Sequence, residues 1–186
     1  MNCPLLTIKA AASVITEGGV LAYPTEAVYG LGCDPLNKDA FQQLLQLKQR
    51  PLEKGVILIA SSVSQVEPFV KLHNQAWTEK VLASWQVVNQ PITWVLPATD
   101  KVPEWITGGR STVAVRVTQH PDVMALCNQL GFPIVSTSAN VSGTDPVTTL
   151  ADCCHAFPGL SIMQGSLMGI ASPSQIWDAQ SQTRLR

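Results

Sequence analysis

A single α/β domain, built on an open, twisted and mostly mixed β-sheet flanked by helices, is the fold class that this 186-residue sequence predicts. Short apolar runs of strand length alternate with segments of helical periodicity. Several connections are shorter than the dozen residues that a helical crossover needs, so part of the sheet must be antiparallel. Hydrophobic residues make up 46% of the chain, and nothing in the composition marks a second domain, so residues 1–186 are expected to form one unit around one core.

The elements follow in order. From Thr7, the residues Ile8, Ala11, Ala12 and Ile15 fall at helical spacing, and Gly18 and Gly19 stop that helix. Val20 to Tyr23 reads as a buried strand halted by Pro24, which cannot donate to a ladder. The stretch Pro24 to Gly32 follows, with glycines that free its backbone. A helix from about Lys38, with Phe41, Leu44 and Leu45 on one face, should end near Leu47. Val56 to Ala60 is a continuous apolar strand. Helical stretches follow from Ser62, weakened by Pro68, and from about Gln75 to Trp85. Ile92 to Leu96 and Thr112 to Val117 read as central strands, joined by a Pro- and Gly-containing loop that carries Trp105 and Arg110. His120 and Pro121 start a helix that Gly131 closes, before a strand at Ile134 to Thr137. The tail reads as a helix from about Leu150 to Phe157, strands around Ile162 and Ile176, and an extended Arg184 to Arg186.

Composition excludes several function classes. Charged residues make up 13% of the chain and nearly cancel, leaving a net charge of -1, so no bulk field draws it to nucleic acid or membrane. Any anion site must be local. The five cysteines are odd in number and lack Cys-x-x-Cys spacing, which suits free thiols better than a disulfide framework or zinc cluster. The vicinal Cys153 and Cys154 point apart on a helix and take no role. No secretory leader pattern occurs, and no apolar run approaches the ~20 residues that span a bilayer, so a cytoplasmic protein without membrane contact is expected. The three histidines are scattered without catalytic or metal-binding spacing, and the five tryptophans suit core or rim packing. Gly30 and Gly32 lack the third glycine of a dinucleotide loop, and no phosphate-binding P-loop occurs.

Three groups of polar residues carry candidate chemistry. In Lys48-Gln49-Arg50-Pro51, proline pushes Arg50 toward an extended conformation. Residues two apart then project to one side, so Lys48 and Arg50 can converge on one oxyanion, with Lys54 nearby. A solvated cap complementing the helix dipole fits the same spacing. The same alternation places Ser136, Ser138 and Asn140 on one side of a segment leaving a buried strand, where they either contact a nucleotide or form a turn. Arg116 sits inside an apolar strand and must reach the surface, an anion or a carboxylate partner.

Taken together, Tyr23 to Gly32, Leu47 to Pro51, Val113 to Arg116 and Ser136 to Gly143 resemble, in sequence and in order, the YrdC-like threonylcarbamoyl-AMP synthase family in its short, single-domain bacterial form. The resemblance runs from the first helix through Asp178. It implies the YrdC-like fold and an enzyme that joins L-threonine, bicarbonate and ATP into threonylcarbamoyl-adenylate, expelling pyrophosphate, with Mg2+ accompanying ATP. A tRNA threonylcarbamoyltransferase complex would consume the product to modify tRNA adenosine. Matched to the family's motifs, Thr25, Thr93 and Ser174 would bind threonine. Lys48, Arg50 and Arg116 would surround the reacting oxyanions, and Ser136, Ser138, Asn140 and Arg184 would contact nucleotide. The chain departs from the family at Asn89-Gln90-Pro91-Ile92-Thr93, where Pro-Gly-Pro-Val-Thr is common, and it has only aliphatics at Val56 to Ala60, where longer relatives carry a histidine. The rival reading is an RNA-binding or ribosome-maturation factor without turnover, holding tRNA or other RNA weakly through phosphate contacts.

Overall fold

The computed structural model describes residues 3–186. They form nine strands, β1 (Leu5–Leu6), β2 (Leu21–Pro24), β3 (Tyr29–Gly32), β4 (Ile57–Ala60), β5 (Ile92–Pro97), β6 (Thr112–Val117), β7 (Ile134–Ser138), β8 (Ile162–Met163) and β9 (Gln175–Asp178). Seven α-helices join them, α1 (Ile8–Thr16), α2 (Lys38–Lys48), α3 (Val63–Val66), α4 (Thr78–Ser84), α5 (Glu104–Thr107), α6 (Pro121–Leu130) and α7 (Leu150–Ala156). The strands make one mixed sheet in the order β1-β8-β2-β3-β7-β4-β6-β5-β9. Four pairs are parallel, β1 with β8, β2 with β8, β4 with β6 and β5 with β9, and the other four are antiparallel.

Local chemistry explains the boundaries. The Thr7 hydroxyl accepts from the Ala10 N–H to cap α1, and Asn37 caps α2 through the Ala40 N–H. His120 caps α6 through the Val123 N–H, and Gly131, at φ 76°, takes the left-handed conformation that ends it. Pro24 closes β2 instead of lying beyond it, because the last residue of a strand can forgo its donor. The glycine-bearing stretch after it contains a strand that periodicity does not reveal: β3 pairs antiparallel with β2 on one side and with β7 on the other. Gly32 is required there by close approach, since a Cβ would stand 2.6 Å from the Val135 carbonyl oxygen and 2.8 Å from the Tyr23 ring. The stretch from Ser62 is only one short helix and a 3-10 turn around Pro68, and the 98–111 connection contains the short α5.

Strand alternation divides the core. Leu21, Tyr23, Ile59 and Ile134 turn toward α1 and α6, packing with Ala11, Ala12, Ile15, Val123, Leu126 and Cys127. Ala22, Leu58 and Val135 face the opposite side, with Phe41, Leu44, Trp85 and Trp94. The helix pair α1 and α6 covers only part of its face. Further along the same alternation, Ile57 pairs with Ser136 and Ala114, and Ala114 pairs with Val95; these residues line an open cavity.

Candidate active site

The cavity holds about 420 Å³, a volume suited to a small-molecule ligand. Its floor is the uncovered stretch of sheet: Ile57, Val95, Ala114, Ser136, Ser138 and Ile176. Along β6 it runs from Thr112 to Arg116, a span of roughly 13 Å of strand. Near the Thr112 end stand Lys54, Gly55, Thr107 and Arg110, and near the Arg116 end stand Thr25, Glu26 and Ala27.

At the Arg116 end, a buried ion pair fixes the geometry. The Arg116 guanidinium donates from Nη1 to Glu26 Oε2 at 2.8 Å, and the Thr118 hydroxyl donates to Glu26 Oε1 at 2.6 Å. Burial alone would raise the Glu26 pKa, but the Arg116 charge and the Thr118 hydroxyl hold it below the ordinary glutamate value. Of the choices open to Arg116, the carboxylate partner is realised, and its Nε remains buried without a partner. Thr25 turns its hydroxyl to the Val28 carbonyl at 2.7 Å, closing the turn between β2 and β3. The Glu26 carbonyl accepts from the Ile170 N–H at 3.1 Å, and His120 Nε2 lies 2.9 Å from the Ser166 carbonyl, so the segment before β9 is tied to this end.

Lys48 and Arg50 do not converge. Helix α2 continues through Lys48, and Gln49 adopts the left-handed conformation at φ 49°, which turns the two side chains apart before Pro51 can extend the chain. Lys48 is 2% exposed and lies outside the cavity lining. Its ammonium donates to the carbonyls of Ser138 and Asn140, the latter at 2.8 Å, and to Asn140 Oδ1 at 3.2 Å. Burial, and then the Arg50 charge, lower its pKa to about 8. Arg50 does line the cavity, donating from Nη2 to the Gly55 carbonyl at 3.0 Å while its Nε stays buried and unpartnered.

The serine motif divides in the same way. Ser136 and Ser138 line the cavity, as alternation along β7 requires. Asn140 turns away: its side chain accepts from Ser138 Oγ at 2.6 Å and donates to the carbonyls of Val141 at 3.0 Å and Thr144 at 2.7 Å. Thr93 is fully buried behind Ser174, with the hydroxyls 2.8 Å apart, and only Ser174 reaches the lining. In the tail, Arg184 is exposed and donates to the Arg186 carbonyl; Arg186 is the arginine that lines the cavity, donating from Nη2 to the Ser174 carbonyl at 3.1 Å. After the isolated pairing of Trp177 with Arg184, the Leu185 and Arg186 N–H groups both bond the Ile176 carbonyl, which interrupts the strand alternation and separates the direction of Arg186 from that of Arg184. Burial, and then the nearby Arg116 charge, lower the Arg186 pKa. Sequence reasoning missed Glu26, Thr118 and Arg186; the signal available for Glu26 was a lone acid in an otherwise uncharged motif.

Four cations thus line the cavity without a carboxylate: Arg50, Lys54, Arg110 and Arg186. Among the described residues, the ion pair between permanently charged side chains is Arg116 with Glu26; His73 Nε2 also lies 3.1 Å from Glu67 Oε1, neither of them lining the cavity. Such an arrangement calls for an anion. The family model Sua5_yciO_yrdC, described as telomere recombination, matches residues 13–186. The chain belongs to this family. Within the Sua5/YciO/YrdC family it is 87% identical over 186 residues to the threonylcarbamoyl-AMP synthase of Hydrogenovibrio crunogenus, covering 100% of both chains. It is 48% identical over 177 residues to the enzyme of that name from Acinetobacter baumannii, covering 93% of this chain and 94% of the relative. Sua5 of P. abyssi, solved in complex with L-threonine, superposes with a TM-score of 0.87 at 30% identity over 99% of this chain; the chain spans 56% of the Sua5 length. E. coli YciO shares the fold, with a TM-score of 0.79 at 22% identity, covering 95% of this chain and 89% of that one.

Proposed function

We infer that this chain is a threonylcarbamoyl-AMP synthase, a nucleotidyltransferase that joins L-threonine, bicarbonate and ATP and releases pyrophosphate. The observation that carries the reading is the cavity's set of cations without carboxylate partners, in a chain so similar to proteins of that name.

Threonine's amine attacks bicarbonate and, with loss of water, gives a carbamate. A carbamate oxygen then attacks the α-phosphorus of ATP; the new O–P bond forms as the bond to the β-phosphate oxygen breaks, and pyrophosphate leaves with the electron pair. No protein nucleophile is needed. The protein aligns two anions that repel one another and stabilises the charge that develops on the phosphates. Arg116 and Ser174, with Thr25 shaping the turn, take the threonine end. Arg50, Lys54 and Arg110 take the phosphates, Arg186 holds the Ser174 carbonyl, and Ser136 and Ser138 offer hydroxyls to the nucleotide. Lys48 and Asn140 act from behind by holding Ser138, and Thr93 does the same for Ser174. Arg184 contributes through the chain direction that delivers Arg186.

Magnesium would arrive with ATP. No group of three His, Cys, Asp or Glu side chains comes together among the described residues, and Glu26 is already committed, so phosphates and water would supply the metal's ligands. The adenylate would pass to a tRNA threonylcarbamoyltransferase complex in the cytoplasm; no helix among the described residues is long and apolar enough to cross a membrane. The deciding experiment is pyrophosphate release from the purified protein with magnesium and ATP, omitting threonine or bicarbonate in turn. Release that requires both is expected. Release independent of threonine would refute the reading, and salt-sensitive RNA retention without any release would favour the RNA-binding alternative.

A further inference from the structure

Glu26 is the only acidic residue among those lining the cavity, and it is 2% exposed. The fold does not require its charge at that position. The turn it occupies is already closed by the Thr25 N–H and hydroxyl, which both bond the Val28 carbonyl. A buried ion pair costs much of its attraction in lost hydration, and apolar residues of similar size usually hold a core as well. The carboxylate is nevertheless fully engaged. It spans Arg116 and Thr118, which lie two apart and so project to the same side, and Thr118 is itself fixed by its N–H bond to the Ala60 carbonyl at 2.9 Å. Arg116 is thereby gripped through Nη1, while its Nε, buried and without a partner, leaves the guanidinium short of an acceptor.

We propose that Glu26 is a positioning and specificity-determining residue: it orients Arg116 for the carboxylate of an amino acid and, by cancelling the guanidinium charge, keeps the phosphate chain of ATP from that end of the cavity. This rests on the synthase reading above. The two ends differ in the way such a division needs. Arg116 carries a carboxylate partner, so its end keeps one uncancelled cation, Arg186, whereas the Thr112 end has Lys54 and the guanidinium groups of Arg50 and Arg110, held by backbone carbonyls that leave their charge uncancelled. A paired arginine still offers hydrogen bonds to a small carboxylate, but it attracts a polyanion far less than a free one.

The test is calorimetric binding of L-threonine and of inorganic pyrophosphate to the wild type, Glu26→Gln and Thr118→Val. Glutamine keeps the size and an acceptor for Thr118 but removes the charge. Threonine affinity is expected to fall about tenfold in Glu26→Gln, the effect of losing one hydrogen bond to a charged group. Pyrophosphate should then displace threonine from Glu26→Gln but not from the wild type, a gain of anion binding that loosened structure alone would not produce. Thr118→Val keeps both charges and should weaken threonine binding without admitting pyrophosphate. A folded Glu26→Gln that binds threonine like the wild type, or that is not invaded by pyrophosphate, overturns the proposal. Should that variant fail to fold, unchanged threonine binding by Thr118→Val overturns it instead. Absence of threonine binding by the wild type would sink the synthase reading itself.

Discussion

Lys48 supplies a test of whether this lysine touches substrate or holds the site together. Its ammonium is shared by three oxygens on the segment leaving β7, and its stem is buried. Hydrogen bonds from a charged donor contribute about 1.5–3 kcal/mol net, and three that share one donor do not add. The buried stem contributes about 2 kcal/mol more. Lys48→Ala should therefore cost about 3–5 kcal/mol, and Lys48→Met, which keeps the stem, about 1.5–3 kcal/mol. At roughly 2–4 °C per kcal/mol for a chain of this size, scanning calorimetry should show Tm lowered by about 10 °C and about 5 °C respectively. Both variants should also lose turnover, because Ser138 is no longer anchored. Wild-type Tm in both variants, with turnover abolished, would refute the clasp and make Lys48 a ligand contact. The same geometry fixes a pH dependence. The folded pKa is lowered to about 8 from the model-compound value of 10.5, so above about 8 the unfolded chain binds more protons than the folded one. The stability of the wild type relative to Lys48→Met should accordingly rise between about pH 8 and pH 10 in urea titrations.

Arg50→Ala should behave oppositely: turnover falls at least about 100-fold in the pyrophosphate assay while Tm stays within about 3 °C, since Arg50 faces the cavity and anchors only to the Gly55 carbonyl. Thr93→Val leaves the Ser174 hydroxyl without its buried partner and should cost about 1–2 kcal/mol in urea unfolding. Glu26, whose pKa is lowered, binds fewer protons folded than unfolded. Its contribution is full above the ordinary glutamate pKa and is lost as pH falls through the depressed folded value, so Glu26→Gln should flatten the acid limb of the stability curve between about pH 5 and pH 2.

Much of the fold was legible because its determinants are local. The apolar run at 56–60, the Pro121 start and Gly131 stop of α6, and the mixed character of the sheet follow from spacing and connection length. Strand β3 escaped because Tyr-Gly-Leu-Gly carries no β-branched residue; its pairing comes from neighbours on both sides, which lie elsewhere in the chain. Lys48 and Arg50 were readable as neighbouring cations but not as divided, since the divergence depends on the left-handed backbone of a single residue, Gln49. Ser136 and Ser138 were legible as a pair because a strand alternates; Asn140 was not, because it lies past the strand end, where alternation ceases. Glu26 and Arg116 are 90 positions apart, so no window of sequence contains their pairing.

The near-zero net charge had excluded a bulk field, yet the cavity collects cations, and the manner of their support reconciles the two. A guanidinium fixed by a carboxylate is held in place but electrically spent; one fixed by a carbonyl is held and keeps its charge. Arg50 uses the Gly55 carbonyl, Arg110 those of Glu53 and Thr107, and Arg186 that of Ser174. At an effective dielectric near 20, each uncancelled charge about 8 Å from a phosphate oxygen contributes about 2 kcal/mol of attraction, so several together outweigh what a chain of net charge -1 offers elsewhere. Backbone carbonyls that orient arginines without neutralising them let an almost uncharged domain keep uncancelled positive charge in its cavity, while the buried carboxylate of Glu26 cancels that of Arg116.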